Sequence, residues 1–209
     1  VQRAGIDPAQ VEDVIMGAAL QMGSSAFNTA RQCLLEAGLP DSVPGQSIDR
    51  QCSSGMMAIG IAAKQIIADG MDVAIGGGVE SISTNQTGDM FTTPSPWLIE
   101  NQPGLYMPMI ETAEIVGERY GVSREDQDAY AIQSYKRSAA AWDAGKFNNE
   151  VVPVEVPQRR GEAVIVNKDE EYTNVKMEKI PALRAAFTSD GTVTAANAST
   201  INDGAGAVV

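Results

Sequence analysis

Ser47-Ile48-Asp49-Arg50-Gln51-Cys52-Ser53-Ser54-Gly55-Met56-Met57-Ala58-Ile59-Gly60-Ile61-Ala62-Ala63 is the stretch that decides the reading of this chain. A strand over about 46–51 runs into a cysteine, then a small-residue turn, then a helix over about 53–69. That helix carries no polar side chain from Gly55 until Lys64. A helix apolar all round in its first turns belongs inside a core. Its N-terminus presents unpaired N–H groups and the positive end of the macrodipole. A cysteine held there has its thiolate stabilised, and the same N–H groups suit an oxyanion on an attacked thioester. On the residues alone two readings of Cys52 stay open. It is a small buried hydrophobe, the commonest fate of a free cysteine, or it is a nucleophile. Cys33, in mid-helix beside Leu34 and Leu35, reads as core.

Short strands and helices alternate on either side of this segment. Asp7-Pro8 reads as a helix start, with Asp7 as N-cap and Pro8 at the first helical position. Residues 13–18 read as a strand, 28–37 as a helix ended by Gly38, and 71–75 as a strand closed by Gly76-Gly77-Gly78. This alternation predicts an α/β layered sheet. The character then changes. Residues 83–109 hold four prolines together with Met90, Phe91, Trp97, Tyr106, Met107 and Met109, and read as an ordered functional loop. Helices follow over 110–120 and 123–144, the second with an apolar stripe at Ala129, Ile132, Tyr135, Ala139 and Trp142. Residues 151–156 and 163–166 read as strands. The domains expected are a core over 1–81, an insertion over 82–194, and a return to the core over 195–209.

Composition removes whole classes of chemistry. The 209 residues carry 15 basic and 27 acidic side chains, a net charge of −12, which argues against a nucleic-acid or anionic-membrane partner. No run approaches the roughly 18 apolar residues of a membrane span. There is no histidine, so neither a Ser-His-Asp nor a Cys-His pair is completed within these residues. Two cysteines without histidine make no ordinary zinc site, and no metal is expected. Two free thiols fit a reducing cytosol, and the expected localisation is cytoplasmic. Gly76-Gly77-Gly78 is followed by Ser81 and lacks the G-x-G-x-x-G of a dinucleotide site. Val1-Gln2-Arg3-Ala4-Gly5 has none of the regions of a signal peptide. Both ends read as cut inside elements, so the chain reads as a piece of a longer protein.

Cys52-Ser53-Ser54-Gly55 after a strand, with Gly76-Gly77-Gly78-Val79-Glu80-Ser81 downstream, resembles the thiolase family. Asp13-Val14-Ile15-Met16-Gly17, Asn28-Thr29-Ala30-Arg31 and Ala37-Gly38-Leu39-Pro40 resemble the family ahead of its nucleophile. Thr112-Ala113-Glu114 and Ser123-Arg124-Glu125-Asp126-Gln127-Asp128 resemble its inserted loop domain, and Asn197-Ala198-Ser199 with Asn202-Asp203-Gly204-Ala205 resembles the segment that re-enters its core. The match is collinear along essentially the whole chain.

The resemblance implies the N-terminal half of the family's αβαβα core with an inserted α+β loop domain. It implies acyl transfer between coenzyme A thioesters, in cleavage of a 3-ketoacyl-CoA or condensation of two acyl-CoAs, within fatty acid metabolism. Cys52 matches the nucleophile that carries the acyl group. Met109 matches a methionine on the pantetheine and acyl path, and Ala195, Ala196 and Ser199 match the stretch beside the pantetheine arm. Coenzyme A enters as substrate, no resident cofactor is implied, and a homodimer or homotetramer is expected. The family's activating histidine, second cysteine and water-orienting asparagine belong to a C-terminal half that these residues lack, so residues 1–209 alone are expected to be inactive. The alternatives are a decarboxylating ketoacyl synthase-like condensing enzyme and a non-catalytic CoA- or lipid-binding relative.

Overall fold

In the computed structural model, residues 1–85 and 93–209 are described. Met90 and Phe91 of the expected loop lie outside them. The chain divides into two units, Val1–Pro94 with Ile201–Val209, and Ser95–Thr200.

The first unit is built on strands β1 (Asp13–Gly17), β2 (Gly45–Ile48), β3 (Ala74–Glu80) and β6 (Gly204–Val208), with helices α1 (Thr29–Glu36), α2 (Ser54–Lys64) and α3 (Ile82–Asn85). The sheet order is β2-β1-β3-β6, with the first three strands parallel and β6 antiparallel to β3. Parallel neighbours require crossover connections, and α1 and α2 supply them. Asp7 does cap a turn, in a full capping box with Gln10, but the turn is a single 3-10 one, Pro8–Gln10. Gly38 takes φ +79° past the end of α1, and the Leu39 and Gly38 amides donate to the Leu34 and Leu35 carbonyls. Both bonds of the Schellman motif are thus made.

Core burial splits over the two faces of the sheet. Val11, Val14, Met16 and Ile75 pack with Ala30 and Leu34 of α1, while Ile15 and Ala74 pack with Ala58 and Ala62 of α2. Neighbouring strand residues point to opposite faces, so β1 supplies both layers and is buried along its whole length. Contrary to the sequence expectation, the glycine run does not close a strand. β3 continues through it to Glu80, because the glycines are where α2 and β6 come closest. A Cβ on Gly76 lies 2.8 Å from Ile59 Cα, and one on Gly77 lies 2.5 Å from the Gly206 carbonyl oxygen. Within residues 1–209 the α2 helix buries one face and exposes the other. Ser54, Ala58 and Ala62 face inward, while Met56 is 75% exposed. Gln65–Asp69 extends it as a widened π turn, ended by Gly70.

The second unit contains α4 (Pro96–Asn101), α5 (Met109–Tyr120), α6 (Arg124–Asp143), β4 (Val154–Val156), β5 (Val164–Val166) and α7 (Glu171–Asn174). β4 and β5 form an antiparallel hairpin. Ser123 caps α6 by accepting from the Asp126 amide at 3.1 Å. The inward face of α6 starts one residue earlier than the sequence stripe. Asp128 and Ala131 are buried and Ala129 is exposed, because the Asp128 carboxylate is fixed by Arg124 Nε at 2.8 Å and Asn197 Nδ2 at 3.0 Å.

Long-range hydrogen bonds hold the ends of each unit. Helix α3 stays with the first unit through Asn85 Nδ2, which donates to Ser25 Oγ at 3.0 Å, and through Ser83, whose amide donates to Asp203 at 2.8 Å. The 192–198 stretch is tied instead to α5 and α6 of the second unit. Among the described residues no helix is long and apolar enough to cross a membrane.

Candidate active site

Cys52 sits between β2 and α2 on a turn that side chains fold from within. The Gln51 amide donates to Asp49 Oδ1 at 2.8 Å, and the Arg50 amide donates to Ser54 Oγ at 2.8 Å. Ser54 Oγ donates in turn to the Gln51 carbonyl at 2.6 Å, and Ser53 Oγ donates to the Arg50 carbonyl at 2.9 Å. Gln51 is thereby held at φ +50°, a left-handed conformation that a branched or bulky residue rarely takes. Such strain persists only where surrounding bonds over-determine it. Its effect is to turn the chain sharply from strand to helix with Cys52 at the apex, exposed to solvent. Within residues 1–209 Cys52 is exposed and does not pack as a core side chain.

The apex opens on a cavity of about 270 Å³, whose wall includes Gly17, Cys52, Ser54, Gly55, Gly78 and Glu80. Close backbone approach shapes this wall. A Cβ on Gly17 lies 2.2 Å from the Ser54 carbonyl carbon, and one on Gly78 lies 3.1 Å from Gly55 Cα. The strand ends and the first turn of α2 meet with no side chain between them, so the α2 N-terminus lies at the cavity. Glu80, ending β3, accepts from the amides of Ala19 and Leu20 at 2.8 and 3.0 Å. It fixes the loop that leaves β1. The sequence motif contains Glu80 without singling it out; its position at the end of a glycine-lined strand is the available signal.

Cys33, read as core, is exposed on the outer side of α1, since Leu34 takes the inward position. Partial desolvation of its sulfur, helped by the negative charge of Glu36, pushes its thiol above the ordinary cysteine value. The other expected site residues belong to the second unit. Met109 opens α5 and is 72% exposed. Ala195 and Ser199 are exposed and Ala196 is half-buried, all on the turn that follows Thr194. The structure thus gathers Ala195, Ala196 and Ser199 on one stretch, separate in the chain's division from the unit that holds Cys52. Among the described residues, no three cysteine, aspartate or glutamate side chains gather as a metal site.

The family model described as the thiolase N-terminal domain matches residues 1–209. A mitochondrial acetyl-CoA acetyltransferase from Macaca fascicularis is 41% identical over 221 residues, covering 100% of this chain and 51% of that protein. A probable acetyl-CoA acyltransferase from Staphylococcus aureus is 37% identical over 228 residues, covering 98% and 55%. Among solved structures, a thiolase from Ascaris suum in complex with coenzyme A superposes with a TM-score of 0.83 at 36% identity, covering 99% of this chain and 55% of that one. The chain spans about half the length of the relatives it matches.

Proposed function

Because the chain belongs to the thiolase family along its whole length, we propose that the protein transfers acyl groups between coenzyme A thioesters through an acyl-cysteine at Cys52. The observation that carries this reading is the placement of Cys52: exposed, at the apex of a strained turn, beside a cavity and the α2 N-terminus. In the cleavage direction the Cys52 thiolate attacks the 3-keto carbon. The C2–C3 bond breaks, the acyl group stays on Sγ, and the departing acetyl-CoA carbanion takes a proton. Coenzyme A thiolate then attacks the acyl-cysteine and releases acyl-CoA, returning Cys52 as thiolate. Oxyanions formed in these attacks suit the amide donors of the α2 N-terminus.

The thiol proton of Cys52 goes to a base outside residues 1–209, which contain no histidine. We assign that base, by resemblance to the family, to a C-terminal half. Residues 1–209 produced alone are therefore expected not to turn over. Met109, Ala195, Ala196 and Ser199 line the path of the pantetheine arm and acyl chain, and the complex of a relative with coenzyme A supports that ligand class.

The test is mass spectrometry of the full-length protein after brief exposure to acetyl-CoA. A 42 Da adduct is expected on the Cys52 peptide, where acetyl replaces the thiol hydrogen, and Cys52→Ala removes it while calorimetry still detects coenzyme A binding. Binding of coenzyme A with no adduct would leave the non-catalytic relative as the correct reading.

A further inference from the structure

The turn that carries Ala195, Ala196 and Ser199 is held at its base by one carboxylate. Glu114, in the second turn of α5, accepts from the Thr192 amide at 3.0 and 2.9 Å, from the Val193 amide at 2.9 Å, and from Thr192 Oγ1 at 2.9 Å. Gln127 Nε2 of α6 donates to the same Thr192 hydroxyl at 2.9 Å. Gly191 keeps room for this contact, since a Cβ there lies 2.3 Å from Glu114 Oε1.

The order imposed at Thr192 is passed along the turn. The Thr194 amide donates to Asn197 Oδ1 at 2.7 Å, and Asn197 Nδ2 donates to the Thr192 carbonyl and to Asp128 Oδ1, both at 3.0 Å. Tyr135 Oη donates to the Ala196 carbonyl at 3.1 Å. Val193 and Thr194 are buried, while Ala195 and Ser199 are exposed. An exposed turn that must receive a ligand adds an ordering cost to binding unless the protein has already met it. Two amides and a hydroxyl converging on one ionised group are stronger, charge-assisted bonds than neutral partners make.

We propose that Glu114 is a positioning residue for coenzyme A, holding the 192–199 turn in its ligand-receiving conformation before the ligand arrives. This rests on the reading that Ala195, Ala196 and Ser199 line the coenzyme A path. Glu114→Gln keeps the shape but turns an NH₂ group toward one of the converging donors. The turn then visits other conformations, and apparent affinity falls in proportion to the competent fraction.

The test uses the full-length protein with coenzyme A itself. In Glu114→Gln the Kd for coenzyme A is expected to rise about tenfold, as for a competent fraction of one tenth. KM rises with it, kcat at saturating coenzyme A is retained, and the alkylation rate of Cys52 is unchanged. A folded Glu114→Gln protein with the parent Kd overturns the proposal, as does a fall in kcat with KM unchanged. If Glu114→Gln does not fold, Thr192→Val decides. It keeps the amide bonds and removes the hydroxyl ones, so the expected rise is about two- to threefold, and an unchanged Kd overturns the proposal. Ser199→Tyr separates the two levels. If it leaves the Kd unchanged, the underlying path assignment fails; if it weakens binding while Glu114→Gln does not, only the positioning role fails.

Discussion

Gln51 and Cys52 show how a single residue pair divides between legible and illegible information. The cysteine before a serine-serine-glycine turn was visible in the sequence. The left-handed backbone of Gln51 was not, because glutamine carries no preference for it; the bonds from Asp49 and Ser54 impose it. Cys33 gives the internal comparison. Both thiols are exposed within residues 1–209, so access does not separate them. Desolvation and Glu36 raise the Cys33 thiol above the ordinary cysteine value, while Cys52 lies at the cavity beside the α2 N-terminus. Only the thiolate reacts. Iodoacetamide is therefore expected to label Cys52 well ahead of Cys33 in the folded full-length protein, followed by peptide mass spectrometry over time. Equal rates would remove the nucleophile assignment.

At the scale of elements, the parallel strands and the two long helices of the second unit were legible, because hydrophobic period, caps and terminal glycines are local signals. The glycine run is illegible for the opposite reason. Its role is set by Ile59 and Gly206, which lie far off in sequence. Glu80 and Glu114 escaped similarly, their amide partners lying 61 and 78 residues away. Gly17 permits the closest approach of strand to helix, with a Cβ position 2.2 Å from Ser54 backbone. Backbone cannot yield as a flexible side chain does, so Gly17→Ala is expected to destabilise by about 3 kcal/mol, at the upper end of overpacking costs. Chemical denaturation measures it, and a loss below about 0.5 kcal/mol, the range of neutral surface changes, would contradict the packing described.

Glu114 gives these elements a pH dependence. Burial opposes its ionisation, but the amides of Thr192 and Val193 and the Thr192 hydroxyl outweigh that and hold its carboxyl below the ordinary range. A depressed carboxyl stabilises the fold above its unfolded value, and the contribution is lost as pH falls through the folded value. The melting-temperature gap between the parent and Glu114→Gln is thus expected to be constant above about pH 6. It is expected to start narrowing at about pH 4 to 5, where the unfolded carboxyl protonates, and to close only as pH falls through the lower folded value. A gap that widens in acid would refute the sign.

For the whole molecule, the apolar outer face of α2 is the feature that reaches furthest. Met56 is 75% and Ile67 84% exposed, with Ile59 and Ile66 beside them. Contiguous exposed apolar surface drives association. Residues 1–209 produced alone are expected to enhance the fluorescence of an apolar dye and to sediment as mixed oligomers. The full-length protein is expected to show neither and to form a discrete dimer or tetramer. A monodisperse, dye-silent preparation of residues 1–209 would contradict this.

The pairing of β6 with β3 also sets a timetable. Glu80 faces Gly204 and Gly76 faces Val208, so this edge of the sheet closes only after the intervening second unit has been made. At about 5–20 residues per second, ribosomal synthesis leaves β3 without that neighbour for roughly 6–25 s. A bare strand edge is a template for wrong partners, all the more so when long and hydrophobic. Here the waiting edge begins Ala74-Ile75-Gly76-Gly77-Gly78, poor in the side chains that favour aggregation. The glycines that let a helix and a strand approach closely in the finished protein also keep the nascent chain out of trouble while it waits.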